Sequence, residues 1–167
     1  MTSTEAEPVE RDDRWILNLR GWGVASITVD YRLTLSLDED WEVVLETPAR
    51  LSSGSAHSHP GVLLVPETQD VAAALPLFGT KVVSAVAFKS GTLRMVFEDG
   101  THLTCPTDAA FEAWQITGPG GWRFVSLPGG GLGVWSASAA NEHSQGRFVE
   151  HWESASWSAT GQQDTIC

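Results

Sequence analysis

The chain has 167 residues, a 42% apolar share and a formal net charge of −11 at pH 7. This length suits a single domain that can bury a core without a metal or a disulfide. The negative charge disfavours binding to nucleic-acid phosphates and to anionic membrane surfaces, and no stretch approaches the ~20 apolar residues of a membrane span.

The chain starts with a polar, acidic stretch, residues 1–13, that has nothing to bury, and we predict a disordered leader there. It lacks the basic start and apolar core of a signal peptide. The two cysteines, Cys105 and Cys167, match no zinc or redox spacing and fit a reducing compartment. We therefore expect a cytoplasmic protein.

The clearest pattern follows in residues 27–37, where apolar and polar side chains alternate. This period of two predicts one strand with a buried face that includes Val29 and Tyr31. Residues 38–40 supply a turn, and the alternation resumes in residues 41–45. The pattern predicts an antiparallel hairpin with one face in the core and one in solvent.

The solvent face of this hairpin is acidic. Residues 1–46 hold eleven acidic residues and four arginines, so the charge is concentrated at this end of the sequence. A negative field steers a basic protein towards the chain. We predict a partner-binding surface made of five carboxylates: Asp38, Glu39, Asp40, Glu42 and Glu46.

Residues 66–79 have helical spacing. Val71, Ala74, Leu75 and Phe78 recur at i, i+3, i+4 and i+7, which predicts the buried face of an α-helix.

Strand patterns and glycine turns then alternate to residue 136, and a Ser-rich stretch without periodicity follows. We predict a single β-rich domain over residues 14–136 and a loosely docked tail over 137–167. The expected fold is mainly β (α+β): a curved antiparallel sheet or partly open β-sandwich of roughly eight to ten strands, with one packed helix. The strand patterns lie in residues 81–88, 92–97, 101–105, 111–116, 122–127 and 132–135.

Glu112 is the one carboxylate that invites a catalytic interpretation, because it lies between Phe111 and Trp114. An acid in an apolar pocket can serve in catalysis, but a glycosidase-like mechanism needs a second carboxylate at a defined separation. The sequence identifies no such partner. We expect Glu112 to be a framework residue that accepts hydrogen bonds from the 118–121 turn or an indole N–H, and we assign no catalytic residue.

Tryptophan supplies the alternative binding site. Two of the eight tryptophans, Trp122 and Trp135, lie beside glycine turns, where exposed rings can stack on sugars. The "HSH" at 57–59 offers two imidazoles, too few for a selective zinc site, and the glycine run at 129–131 lacks the Lys-Ser/Thr ending of a phosphate loop. We predict neither a metal nor a cofactor.

The stretches "LPLFGTKVVSAVAFKSGTLRMVF" and "FEDGTHLTCPTDAAFEAWQITGPGGWRFVSLPGGGLGVW" resemble a family of small bacterial proteins, domain of unknown function 6188. The likeness covers about residues 15–136 and is most specific over 91–135. The family usually has Tyr where this chain has Phe111, and that difference weighs against catalysis there. The resemblance implies the domain boundary and framework roles for Glu112 and Trp114, but no activity.

The sequence thus favours a non-enzymatic, cytosolic protein-binding module. An immunity protein that neutralises a basic toxin or effector through the acidic face is the specific form we expect. A carbohydrate- or small-ligand-binding β domain that uses Trp122 and Trp135 is the alternative. A small enzyme with Glu112 as its acid or base is the least favoured hypothesis.

Overall fold

The computed structural model describes residues 7–38, 40–54 and 61–137. Their strands form two antiparallel sheets whose inward side chains share one hydrophobic core. The predicted fold class, a mainly β, open two-sheet structure with little helix, is confirmed. In spatial order, the first sheet has seven strands, numbered in chain order: β1 Val9–Glu10, β2 Arg14–Ile16, β8 Val82–Phe88, β9 Leu93–Phe97, β10 Thr101–Cys105, β6 Ala49–Ser53 and β7 Val62–Leu64. The second has six: β13 Leu132–Trp135, β12 Arg123–Ser126, β11 Trp114–Thr117, β5 Trp41–Leu45, β4 Leu33–Leu37 and β3 Val24–Val29.

The predicted hairpin is present as β4 and β5. Leu35 lies opposite Val43 and Leu37 lies opposite Trp41. Leu35 and Val43 are fully buried, whereas Glu42 is exposed, so alternation places the apolar residues in the core and the acid outside.

The alternating run at 27–37 is two strands, not the single strand predicted. The chain reverses at Asp30–Arg32, where the Asp30 carboxylate accepts the backbone N–H of Arg32 at 2.7 Å. Tyr31 is consequently at the tip of a turn and 69% exposed, and Val29 lies on the outermost strand of the sheet, half out of the core. A run of this length exceeds the usual strand of ~5–6 residues, and the Asx turn uses the excess.

The predicted α-helix is wrong in type: residues Ala72–Leu77 form a 3₁₀ helix, preceded by a short one at Pro66–Thr68. Pro76 lies inside it, and in an α-helix its ring would clash with the preceding turn. A 3₁₀ helix has three residues per turn, so Leu75 and Phe78 face solvent instead of the core. Its buried residues recur every three positions: Val71, Ala74 and Leu77.

The predicted disordered leader is wrong for residues 7–13, because β1 pairs with β2 and extends the first sheet. Lys89 Nζ lies 2.6 Å from a carboxylate oxygen of Glu10, and Asn18 Nδ2 donates to the Glu7 carbonyl at 2.6 Å. These contacts give the polar segment partners that composition alone did not indicate. Residues 1–6 and 138–167, which include the rest of the leader and the predicted tail, lie outside the described residues.

Trp114 links the two sheets. Its ring is fully buried, and its indole N–H donates to the Gly91 carbonyl at 2.9 Å. The Ser126 hydroxyl donates to the same carbonyl at 2.8 Å. Gly91 lies in the β8–β9 turn of the first sheet with φ +106°, and a Cβ there would lie 2.4 Å from Thr107 Cγ2. Both the backbone conformation and the available space therefore require glycine here.

Candidate functional site

A pocket of about 300 Å³ opens between four segments that are far apart in the sequence. We call it the aromatic–carboxylate pocket, because two exposed aromatic rings and three carboxylates are among its lining residues. The lining residues are Tyr31, Arg32, Glu46, Thr47, Pro48, Glu67, Asp108 and Phe111.

The β3–β4 turn supplies Tyr31 and Arg32. Asp30 fixes this turn from within, through the Arg32 N–H and through a 3.6 Å ion pair with the Arg32 guanidinium. Gln69, in the left-handed conformation with φ 60°, donates from its side chain to the Asp30 carbonyl at 2.9 Å. This bond ties the turn to the segment that carries Glu67.

The end of β5 supplies Glu46 and Thr47, whose backbone N–H groups donate to the Ala113 carbonyl at 2.9 and 3.3 Å. Cys105 lies beneath them, and its sulfur is 4.0 Å from that same carbonyl oxygen. Burial raises the pKa of the Cys105 thiol to about 12, although a hydrogen bond with Thr47 opposes the rise. A thiol with this pKa is protonated at neutral pH and is not a nucleophile.

The loop before β11 supplies Asp108 and Phe111. Asp108 Oδ1 accepts the backbone N–H groups of Ala110 and Phe111 at 2.8 and 3.1 Å. The Asp108 carbonyl in turn accepts the N–H of Gly129 at 2.8 Å. Phe111 is therefore held by a turn that its neighbour caps, and 66% of it faces solvent.

The charges of the pocket favour a cation. Glu46, Glu67 and Asp108 face a single guanidinium, Arg32, which already pairs with Asp30. The Arg32 Nε is buried and has no hydrogen-bond partner among the described residues. Aromatic faces attract cations, and carboxylates form charge-assisted hydrogen bonds with ammonium and guanidinium groups. The Arg32 Nε adds a donor for an acceptor such as a peptide carbonyl.

The five carboxylates predicted to bind a partner are divided between two places. Asp38 and Asp40 are exposed in the β4–β5 turn, and Glu42 is exposed at the start of β5, whereas Glu39 lies outside the described residues. Asp38 also accepts the N–H of Gly23 at 3.2 Å, so it contributes to the fold. Glu46 is half-buried and lies four residues beyond Glu42, roughly 13 Å along the strand, in the aromatic–carboxylate pocket.

The two tryptophans predicted to bind sugars are half-buried and already in contact with other side chains. Trp122 stacks on Phe124 at 5.6 Å and meets Trp15 edge to face at 5.6 Å. Trp135 lies against Gly133, where a Cβ would come within 2.9 Å of the ring, and the Arg123 guanidinium lies 5.6 Å from the ring centroid. The prediction that these rings are open platforms is therefore wrong, because they pack within the protein.

Glu112 is half-buried in the loop before β11. It forms no hydrogen bond or ion pair within residues 7–38, 40–54 and 61–137, so the expected bonds from the 118–121 turn or an indole are absent there. The indole N–H of Trp114 goes instead to Gly91. Of the two predicted framework residues, only Trp114 makes connecting bonds.

The described part of the chain offers no other chemical centre. No three His, Cys, Asp or Glu side chains in it are arranged to hold a metal ion, and the "HSH" at 57–59 falls outside it. Nor does any helix of the described residues have the length and apolar character needed to cross a membrane.

Sequence reasoning missed Tyr31 and Phe111 as site residues. Tyr31 was assigned to a buried strand face, although an Asp-Tyr-Arg triplet in the middle of an eleven-residue run is a signal for a turn. Phe111 follows "TDAA", in which the aspartate can cap a tight turn and leave the next aromatic side chain outside.

Comparison with known proteins gives a family and no function. Residues 15–136 match the model of a family of unknown function, DUF6188, as the resemblance predicted. No curated protein and no solved structure matches the chain.

Proposed function

Because the chain belongs to DUF6188, a family of unknown function, we propose its function from the geometry of its site: a non-enzymatic protein-binding module that recognises a basic protein. The observation that supports this most is the aromatic–carboxylate pocket. Tyr31 and Phe111 are large, exposed and held in place, and three carboxylates lie with them around one cavity.

This combination suits an arginine or lysine side chain of the partner. Its apolar stem would pack on Tyr31 and Phe111, and its charge would meet Glu46, Glu67 and Asp108. Aromatic anchors of this kind dominate binding energies at protein interfaces, whereas scattered surface charges mainly set the association rate. The exposed Asp40 and Glu42 would then steer the partner, and the pocket would hold it.

The rival interpretations have less support. An enzyme with Glu112 as acid or base would need a second group near it, and no described ionisable side chain bonds to Glu112. The buried thiol of Cys105 is not available as a nucleophile. Sugar binding through Trp122 and Trp135 would require ring faces that are now in contact with Phe124 and Gly133.

A cytosolic immunity protein that neutralises a basic toxin or effector is the specific role we propose. The net charge of −11 favours association with a basic partner, and an unpaired, buried Cys105 suits a reducing compartment. Neutralisation requires only that the pocket cover a cationic surface the toxin needs.

The test begins with capture of the partner from the native host by the tagged full chain, followed by purification of that partner. Tyr31→Ala and Phe111→Ala should each weaken its binding by roughly 30-fold, the equivalent of a ~2 kcal/mol hot spot. Phe78→Ala is the matched control, because Phe78 is 63% exposed and does not line the pocket. Equal losses for all three variants would show that general surface hydrophobicity, not the pocket, drives binding.

A second arm tests the charge. Glu46→Lys should slow association and reduce its dependence on salt, whereas Glu98→Lys, an exposed site on the other sheet, should have little effect. A partner with an acidic isoelectric point would refute the proposal. Protection is tested separately, by measuring whether cells that express the partner grow only when the protein is present.

A further inference from the structure

The outer face of the seven-stranded sheet carries an uninterrupted row of paired residues, one from each strand. Cross-strand pairing fixes this row, because each member lies directly opposite the next. We call it the arginine row. Its members in order are Val9, Ile16, Val86, Arg94, Thr104, Arg50 and Leu63.

The row has a simple chemical layout. Its only charged members are Arg94 and Arg50, which are exposed, and apolar residues occupy both ends. The two arginines lie two strands apart, about 10 Å, since neighbouring strands are ~4.8 Å apart. No carboxylate of the described residues pairs with Arg94. On a chain of net charge −11, this surface is locally cationic.

Aromatic packing holds Arg94 in place. Its guanidinium lies 5.3 Å from the Phe88 ring centroid, and that of Arg14 lies 4.7 Å from the same centroid. Arg14 is paired with Asp13 at 2.9 Å, so its charge is already compensated. Arg94 is therefore a fixed cation whose side chain loses little freedom when it binds an anion.

The chain itself contains a complementary segment. Residues 138–167 hold four acidic residues and one arginine, together with Phe148, Trp152 and Trp157. Glu150 and Glu153 are three residues apart, about 10 Å in an extended segment. This spacing matches that of the two arginines, and the aromatic residues beside them match the apolar ends of the row.

The chain also enters this segment near the arginine row. The N–H of Ala137 donates to the Gly120 carbonyl at 2.9 Å, beside Trp122. Trp122 touches Trp15 of β2, whose neighbour Arg14 lies next to the row. A segment of thirty residues is long enough to cross the seven strands, which span roughly 29 Å.

We infer that residues 138–167 bind to the arginine row, with Glu150 and Glu153 on Arg94 and Arg50. The segment thereby covers the outer face of the first sheet by charge pairing. A separate acidic protein on the same face would be a different occupant, and the experiment below distinguishes the two.

The test uses the full chain and one spin label. Ser154→Cys in a Cys167→Ser background places a single reactive thiol beside Glu153, because the thiol of Cys105 is buried and protonated. A nitroxide there should broaden the amide NMR signals of Thr104 and Arg94 at least fivefold more than those of Thr34 and Ser36 on the opposite sheet. Raising the salt to 1 M should remove most of this difference.

Three variants test the charge pairing. Arg94→Glu and, from the other side, Glu150→Gln with Glu153→Gln should each abolish the selective broadening, whereas Arg123→Glu on the second sheet should not. The glutamine pair leaves the described fold untouched, so it remains informative if Arg94→Glu fails to fold. Equal broadening on both sheets, or selective broadening that persists in the glutamine pair, would overturn the inference.

This inference does not depend on the proposed function. The arginine row and the aromatic–carboxylate pocket share no residue. Loss of partner binding in Tyr31→Ala with unchanged broadening would separate the two surfaces. If Arg94 and Arg50 instead bind an acidic protein, the nitroxide effect will be absent and the occupant we infer will be wrong.

Discussion

Glu112 and Trp114 are two residues apart, and the structure predicts opposite consequences for their substitution. Trp114→Phe removes the indole N–H that donates to Gly91, between the two sheets. Glu112→Gln changes a half-buried carboxylate that forms no bond within the described residues. The pair therefore tests whether Trp114, and not Glu112, is the framework residue of this loop.

The expected cost of Trp114→Phe can be added from its parts. Loss of one buried hydrogen bond costs about 1 kcal/mol, and the Gly91 carbonyl keeps its bond from the Ser126 hydroxyl. The smaller ring buries roughly one methylene equivalent less, which is about 0.8 kcal/mol. A void of roughly 40 Å³ at ~24 cal/mol per Å³ adds about 1 kcal/mol. The total is about 3 kcal/mol, whereas Glu112→Gln should stay within about 0.5 kcal/mol.

Thermal and urea unfolding of the full chain measure both variants. At ~2–4 °C per kcal/mol, Trp114→Phe should lower the Tm by about 6–12 °C, and Glu112→Gln by less than about 2 °C. The urea m-value should not change, since both variants expose the same surface on unfolding. A fall of several degrees for Glu112→Gln would restore a framework role for that carboxylate, and a loss below about 1 kcal/mol for Trp114→Phe would refute our account of Trp114.

Two further predictions concern stability. A Cβ at Gly118 would lie 2.4 Å from the ring of buried Trp41, so Gly118→Ala should cost about 1–3 kcal/mol by urea unfolding, and a neutral result would show that the ring can move. The Cys105 thiol has a pKa of about 12 when folded and about 8.5 when unfolded, so between these values the unfolded chain alone loses the proton and each pH unit lowers the free energy of unfolding by about 1.4 kcal/mol. Relative to Cys105→Ala, the chain should therefore lose about 2 kcal/mol between pH 8 and pH 10, and a constant difference would contradict this thiol pKa.

The sequence predicts local structure well where one pattern decides it. The β4–β5 hairpin follows from alternation, because a one-residue slip would expose Leu35 and bury Glu42. The segment around Ala74 is different, since Val71 and Ala74 suit both a three-residue and a 3.6-residue period. There Pro76 decides in favour of the 3₁₀ helix, and packing of Leu77 instead of Leu75 confirms the shorter period.

The candidate site was less predictable, for a physical reason. Its lining residues come from positions 31–32, 46–48, 67 and 108–111, and only the strand order brings them together. That β11 lies beside β5 is a long-range pairing that no local pattern encodes. Glu46 could be proposed from its charge, whereas its position beside Phe111 required the folded chain.

The rigidity of the aromatic–carboxylate pocket bears on how it would bind. Backbone hydrogen bonds fix Glu46 and Phe111, and Gln69 fixes the turn that presents Tyr31. Ordering a flexible side chain on binding costs roughly 0.5–1.5 kcal/mol, and Tyr and Phe have few rotatable bonds to lose. A pocket built in this way can bind one cationic side chain without first reorganising its walls. Affinity would then depend on how well the partner fills the pocket, and the surrounding acidic residues would set how fast it arrives.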